Sequence, residues 1–105
     1  MDKILTTLEK ILEQRKSAST EKSYVASLYK EGTNKILEKI SEESEEVIMA
    51  AKNEGNAEII HEIADLWFHT LVLLRHKNIS IEEIESELAG RFGISGHKEK
   101  TSRNK

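Results

Sequence analysis

The sequence contains no cysteine and no proline, and only five of its 105 residues are glycine. Without cysteine, neither a disulfide nor a thiolate metal site can hold the fold together, which fits a reducing compartment. Without proline, no residue breaks a helix by removing a backbone donor. The glycines are scattered, so no glycine-rich phosphate loop is present. No serine or cysteine stands in a nucleophile arrangement. Basic charge is also short. Sixteen lysines and arginines against nineteen acids leave a net charge of −3, which argues against general nucleic-acid binding. No apolar run reaches the roughly 20 residues needed to cross a bilayer. The opening Met1-Asp2-Lys3-Ile4-Leu5 lacks a signal-peptide layout. A soluble cytoplasmic protein is expected, with no nucleic-acid partner and no membrane.

What is present is helical periodicity. Residues 1–105 make one domain by length. Hydrophobic residues are 37% of the chain and charged residues 33%, a balance that gives a small core and that dimerisation would enlarge. Ile4, Leu5, Leu8, Ile11 and Leu12 give one helical face. Arg15 to Thr20 breaks the pattern and reads as a linker. Ser23 to Tyr29 fits a short helix or an extended arm. Gly32 interrupts, and Thr33 or Asn34 can cap a helix running to about Asn53. Its apolar stripe is Ile36, Leu37, Ile40, Val47, Ile48 and Ala51. Asn53 to Asn56 reads as a turn, with Asn56 capping a helix from about Ala57 to His76. The second half of that helix is apolar nearly all round, so it is expected to be central and most buried. Ser80-Ile81-Glu82-Glu83 is a capping-box pattern. It opens a last helix with Ile81, Ile84, Leu88 and Phe92 facing inward and Gly93 ending it. Gly93 to Lys105 is a basic tail. The expected architecture is all-α: a bundle of four to five helices around a central antiparallel hairpin.

The informative residues are acids. Glu43 and Glu46, then Glu62 and Asp65, are two pairs three residues apart, so each pair shares a helix face. At about 100° per residue, Glu43 falls inside the apolar stripe between Ile40 and Val47, and Glu46 at its edge. Glu62 and Asp65 flank the stripe of Ile59, Ile63 and Leu66. Counted outward from the turn, Glu46 is nearly level with Glu62, and Glu43 with Asp65. At about 1.5 Å rise per residue the pairs lie roughly 11–17 Å from the turn. A hairpin thus brings four carboxylates together. Uncompensated, that is unfavourable, and a hard divalent cation is the simplest compensation, Mg²⁺ or else Mn²⁺. The competing description is an ordinary solvated glutamate face.

Other patterns are weaker. Glu58-Ile59-Ile60-His61 matches the Glu-x-x-His of di-iron bundles, but only once, and His61 points away from the acidic row. His69, one turn beyond Asp65, reads as a polar residue edging a buried helix, or as a support to the acidic row. Lys35 and Lys39 lie on the flank of Glu42, Glu43 and Glu46. They suit phosphate binding or simple pairing with glutamates. The tail cations Lys98, Lys100, Arg103 and Lys105 fit either a phosphate ligand or a solvated terminus.

Glu42-Glu43-x-x-Glu46 followed by Glu62-x-x-Asp65 resembles the acidic motif of the all-α nucleoside triphosphate pyrophosphatase superfamily. Within it, nearly the whole chain resembles the phosphoribosyl-ATP pyrophosphatase family. The resemblance is carried by Ser23-Tyr24-Val25-Ala26-Ser27-Leu28, by residues 35–43, 47–52 and 62–69, and above all by Arg91-Phe92-Gly93-Ile94-Ser95-Gly96-His97-Lys98-Glu99-Lys100. His97 stands where the family pattern carries an apolar residue. The resemblance implies Mg²⁺-dependent hydrolysis of phosphoribosyl-ATP to phosphoribosyl-AMP and pyrophosphate, the second step of histidine biosynthesis, by a homodimer. It implies Glu43, Glu46, Glu62 and Asp65 as metal ligands, with Glu42 completing the shell or orienting water. Lys35 and Lys39 would meet phosphates. Tyr24, Arg91, Ser95 and Lys100 would contact the phosphoribosyl and phosphate groups. Some relatives carry a fused cyclohydrolase domain, and this chain is expected to be the monofunctional form. The competing functions are a housekeeping nucleotide pyrophosphatase, a non-enzymatic helical interaction module and a di-iron bundle.

Overall fold

The structure is a computed structural model and describes residues 2–92. Five helices follow one another: α1 (Asp2–Gln14), α2 (Tyr24–Glu31), α3 (Thr33–Asn53), α4 (Asn56–His76) and α5 (Ile81–Ala89). No strand occurs among the described residues, so the all-α expectation holds. The stretch read as a linker begins with a 3-10 turn at Arg15–Ser17 that continues α1.

The long helices α3 and α4 form an antiparallel hairpin. Their two-residue connection turns the chain back on itself, and a bond between their far ends fixes the antiparallel arrangement. Thr33 at the start of α3 meets His76 at the end of α4 through a 3.1 Å hydrogen bond. The segment from Ser23 is a helix and not an arm, because the Ser23 hydroxyl accepts the Ala26 N–H at 3.1 Å and caps it. The core forms where α1 and α2 close over the hairpin: Leu12, Val25, Leu28, Ile36 and Val72 are buried together, with Leu8, Ile40 and Phe68 against them.

Glycine and asparagine, placed by backbone geometry, set the chain reversals. Gly32 has φ 94° and both ends α2 and opens α3, a conformation that a side chain would strain. Thr33 and Asn34 therefore lie inside α3 and cap nothing. Thr33 spends its hydroxyl on His76 instead. At the other reversal Gly55 stands at the capping position of α4, and Asn56 is already helical. The expectation that Asn56 caps this helix is corrected, because the tight turn leaves only Glu54 and Gly55 outside it. The end of α4 closes with Asn78 at φ 59°. The Ile79 N–H reaches Leu74 O at 2.8 Å and the Asn78 N–H reaches Arg75 O at 3.1 Å. That is a Schellman closure with asparagine in the left-handed position. The Ser80 capping box forms as read: Glu83 Oε2 accepts the Ser80 N–H at 2.9 Å, and Ser80 Oγ accepts the Glu83 N–H at 3.2 Å.

A charged network fastens α1 to this junction. Arg75 donates to Glu13 Oε1 at 3.1 Å, lies 3.3 Å from Glu9 Oε2 and donates to the Ile79 carbonyl at 2.6 Å. Glu9 Oε2 in turn accepts the Ile81 N–H at 2.9 Å.

Three packing expectations are corrected. On α4 only His69 and Val72 are buried, and Trp67 is 51% exposed. The helix is apolar on two sides, but one chain covers only the side toward α1, α2 and α3. On α5, Ile81 is buried while Ile84 and Leu88, and Phe92 beyond its end, are exposed, because Leu5, Trp67 and the α5 side chains leave an open groove there. The helix also stops at Ala89, before Gly93. On α1, Leu12 is buried but Ile4 and Ile11 face outward, so the five apolar residues do not form one covered face.

Candidate functional site

The acidic residues stand where helical arithmetic put them. Glu43 and Glu46 project from α3 toward Glu62 on α4, and carboxylate oxygens of all three lie within 4.8 Å of one another. Asp65 joins through Glu62: His61, Glu62 and Asp65 form a second set with the same spacing. The four expected ligands thus form two overlapping groups that share Glu62. Glu42 is turned out of the cluster and accepts from Lys39 Nζ at 3.2 Å. Lys35 pairs with Glu38 at 3.2 Å.

Burial makes this cluster unusual. Glu43 is 6% exposed, and its Oε2 has no hydrogen-bond partner. Glu62 Oε1 is likewise buried and unpartnered. Buried polar atoms are normally paired, and leaving one unpaired costs about 1–3 kcal/mol, more for a charge. The Glu43 carboxyl is pushed up to about 7, first by burial and then by the close approach and charge of Glu46 and the charge of Asp65, with Lys39 opposing. Glu62 is raised by burial and by Glu46, with His61 opposing. The chain supplies this cluster with no lysine or arginine at contact distance among the described residues. The donor set is oxygen-rich, converging and short of positive charge. It fits a hard divalent cation.

Two histidines border the site. His61 Nε2 lies 3.4 Å from Asp65 Oδ2, so the reading that His61 points away from the acidic row is corrected. The i to i+4 spacing lets its long ring lean back over Asp65 even though its backbone faces solvent. His69 is 5% exposed. Its Nδ1 lies 2.8 Å from the Asp65 carbonyl oxygen, and its Nε2 lies 2.8 Å from the Tyr24 hydroxyl. It is a buried connector and not an edge residue. The only local signal was its place one turn beyond Asp65, since Tyr24 is 45 residues away in sequence.

Tyr24 is thereby brought to the site. Its phenol feels the charges of Lys39, Glu43, Glu42 and Lys35, and burial raises it above the ordinary tyrosine value. Of the six expected substrate-binding residues, Tyr24, Lys35 and Lys39 stand on this side of the hairpin. Arg91 does not join them: it donates to Glu87 Oε2 at 3.2 Å, one turn back along its own segment. Ser95 and Lys100 lie outside the described residues.

The sequence model described as phosphoribosyl-ATP pyrophosphohydrolase matches residues 5–92. A protein of Vesicomyosocius okutanii named phosphoribosyl-ATP pyrophosphatase is 67% identical over 99% of both chains. One of Ruthia magnifica with the same name is 61% identical over 99% of both. One of Hydrogenovibrio crunogenus, also so named, is 53% identical over 97% of this chain and 94% of its own.

Proposed function

The chain belongs to the phosphoribosyl-ATP pyrophosphohydrolase family, and from that premise we propose that it is a magnesium-dependent hydrolase acting on phosphoribosyl-ATP. The products are phosphoribosyl-AMP and pyrophosphate, in the second step of histidine biosynthesis, carried out in the cytoplasm. The observation that carries the reading is the pair of buried, unpartnered oxygens of Glu43 and Glu62 in a cluster that also holds Glu46.

Glu43, Glu46, Glu62 and Asp65 would hold the ion, Mg²⁺ or in its place Mn²⁺. Bound there, such an ion supplies charge neutralisation for phosphate oxygens and a more acidic water. The remaining work falls to the chain. Lys39 and Lys35 exchange their exposed glutamate partners for phosphate oxygens, a cheap exchange because exposed ion pairs contribute little. Glu42, released from Lys39, accepts a proton from the attacking water. Because most of the cost of gathering these charges is met by the fold, positioning and charge stabilisation supply the acceleration.

The same reading takes the protein as a homodimer. Trp67, Ile84 and Leu88 are 51%, 40% and 51% exposed and line one groove of about 450 Å³ between α4 and α5. A second copy would cover it. Sedimentation of the wild type as a dimer, and of Trp67→Glu as a monomer, checks this.

Pyrophosphate release from phosphoribosyl-ATP, with and without Mg²⁺ and beside ATP and dUTP, tests the function. Magnesium-dependent release from phosphoribosyl-ATP alone is expected. Release from dUTP instead would move the protein to a housekeeping nucleotide pyrophosphatase. No release from any substrate would overturn the enzyme reading.

A further inference from the structure

The His69 ring is held at both nitrogens, and its two partners are not equivalent. The Asp65 carbonyl oxygen, 2.8 Å from Nδ1, can only accept, so Nδ1 carries a proton. In the neutral ring Nε2 then has a lone pair, and the Tyr24 hydroxyl 2.8 Å away donates to it. The ring cannot easily turn. Phe68 packs on it edge to face at 5.5 Å and Tyr24 at 5.8 Å, and the residue is buried.

This fixes the polarity of Tyr24. Its one proton points inward, so the phenolic oxygen offers only lone pairs to the site. Half of Tyr24 is exposed, and the neighbouring cation Lys39 is engaged by Glu42 in the free protein and by phosphate in the proposed complex. Phosphate oxygens at neutral pH are acceptors and find no hydrogen there. A sugar hydroxyl can donate, and finds an acceptor lone pair there. The two classes of ligand group are therefore sorted by the site itself: phosphates to the lysines, a hydroxyl to Tyr24.

Resting on the proposed function, we infer that His69 is a positioning residue that fixes Tyr24 as a hydrogen-bond acceptor for a sugar hydroxyl of the substrate, and not as a phosphate contact. Removing the hydroxyl weakens binding of any ligand that carries the sugar and leaves a bare phosphate ligand untouched.

Two measurements on the full chain with Mg²⁺ test this. In protein labelled with ¹⁵N at histidine, the His69 resonances should show a proton on Nδ1 and none on Nε2, the minority form of free imidazole. A proton on Nε2, alone or in an imidazolium, overturns the assignment whatever the activity proves to be. Calorimetry of Tyr24→Phe should show phosphoribosyl-AMP binding weakened by about 3- to 10-fold, with pyrophosphate affinity unchanged. Equal weakening of both ligands, or of neither, overturns the sugar contact. His69→Phe should weaken phosphoribosyl-AMP to the same degree, and the double variant no further, whereas a merely structural histidine gives additive losses. If His69→Phe does not fold, Tyr24→Phe and the nitrogen spectra decide alone. A wild type that binds neither ligand removes the proposed function and the sugar contact with it, while the spectra still decide the tautomer.

Discussion

Among the described residues, acidic side chains cluster in two places, and the fold treats them differently. At the α1 and α4–α5 junction, Glu9 and Glu13 surround Arg75, and Glu9 also accepts a backbone N–H. Every carboxylate there has a partner from the chain itself. On the α3–α4 hairpin, Glu43, Glu46 and Glu62 crowd one another, one oxygen each of Glu43 and Glu62 is buried and unpartnered, and the nearby lysines pair with glutamates that face solvent. The first cluster is explained by folding. The second costs folding free energy, because like charges are desolvated together. That contrast separates carboxylates partnered by the chain itself from carboxylates that the chain leaves without a cation at contact distance among the described residues.

The contrast breaks most visibly in activity. Glu43→Gln or Asp65→Asn should lower pyrophosphate release by about a thousandfold or more, equivalent to roughly 4 kcal/mol of transition-state stabilisation, while circular dichroism shows the helices intact. Arg75→Met should do the reverse. Turnover per folded molecule stays near wild type, but urea unfolding shows a loss of about 2–3 kcal/mol, since a largely buried ion pair loses its cation.

The pH dependence should differ with the same logic. The Glu43 carboxyl stands at about 7 in the fold, above its ordinary 4.5. The folded state therefore binds that proton more tightly than the unfolded chain. Its contribution favours folding below about pH 4.5 and is lost as pH rises through 7. With divalent ions chelated, the wild type should lose about 1–3 kcal/mol over that window, and Glu43→Gln should lose much less. The smallest effect is expected at Lys39. Its pair with Glu42 is exposed, so Lys39→Ala should change stability by less than about 1 kcal/mol, yet raise KM for phosphoribosyl-ATP about tenfold with little change in thermal midpoint.

The hairpin and its acids were legible because both follow from counting. Equal distance from the turn set Glu46 against Glu62, and Thr33 and His76, equally far out on either helix, meet by the same count; the apolar stripe of α3 was read less well, since Leu37 and Ile48 are exposed. The caps were not legible at Thr33, Asn34 and Asn56, because glycine backbone at Gly32 and Gly55 took those positions. Ile84, Leu88 and Phe92 were assigned inward because periodicity reports an apolar face and not which partner covers it. His69 was missed as a connector because its meaning depends on Tyr24, brought close only by tertiary packing.

Thermal unfolding of the wild type and Glu43→Gln, each with chelator and with Mg²⁺, tests the central claim most directly. If the carboxylate cluster is strained until a cation fills it, Glu43→Gln melts at or above the wild type in chelator, and Mg²⁺ raises the wild type but not the variant. A wild type indifferent to Mg²⁺, or a variant destabilised in chelator, would contradict the account.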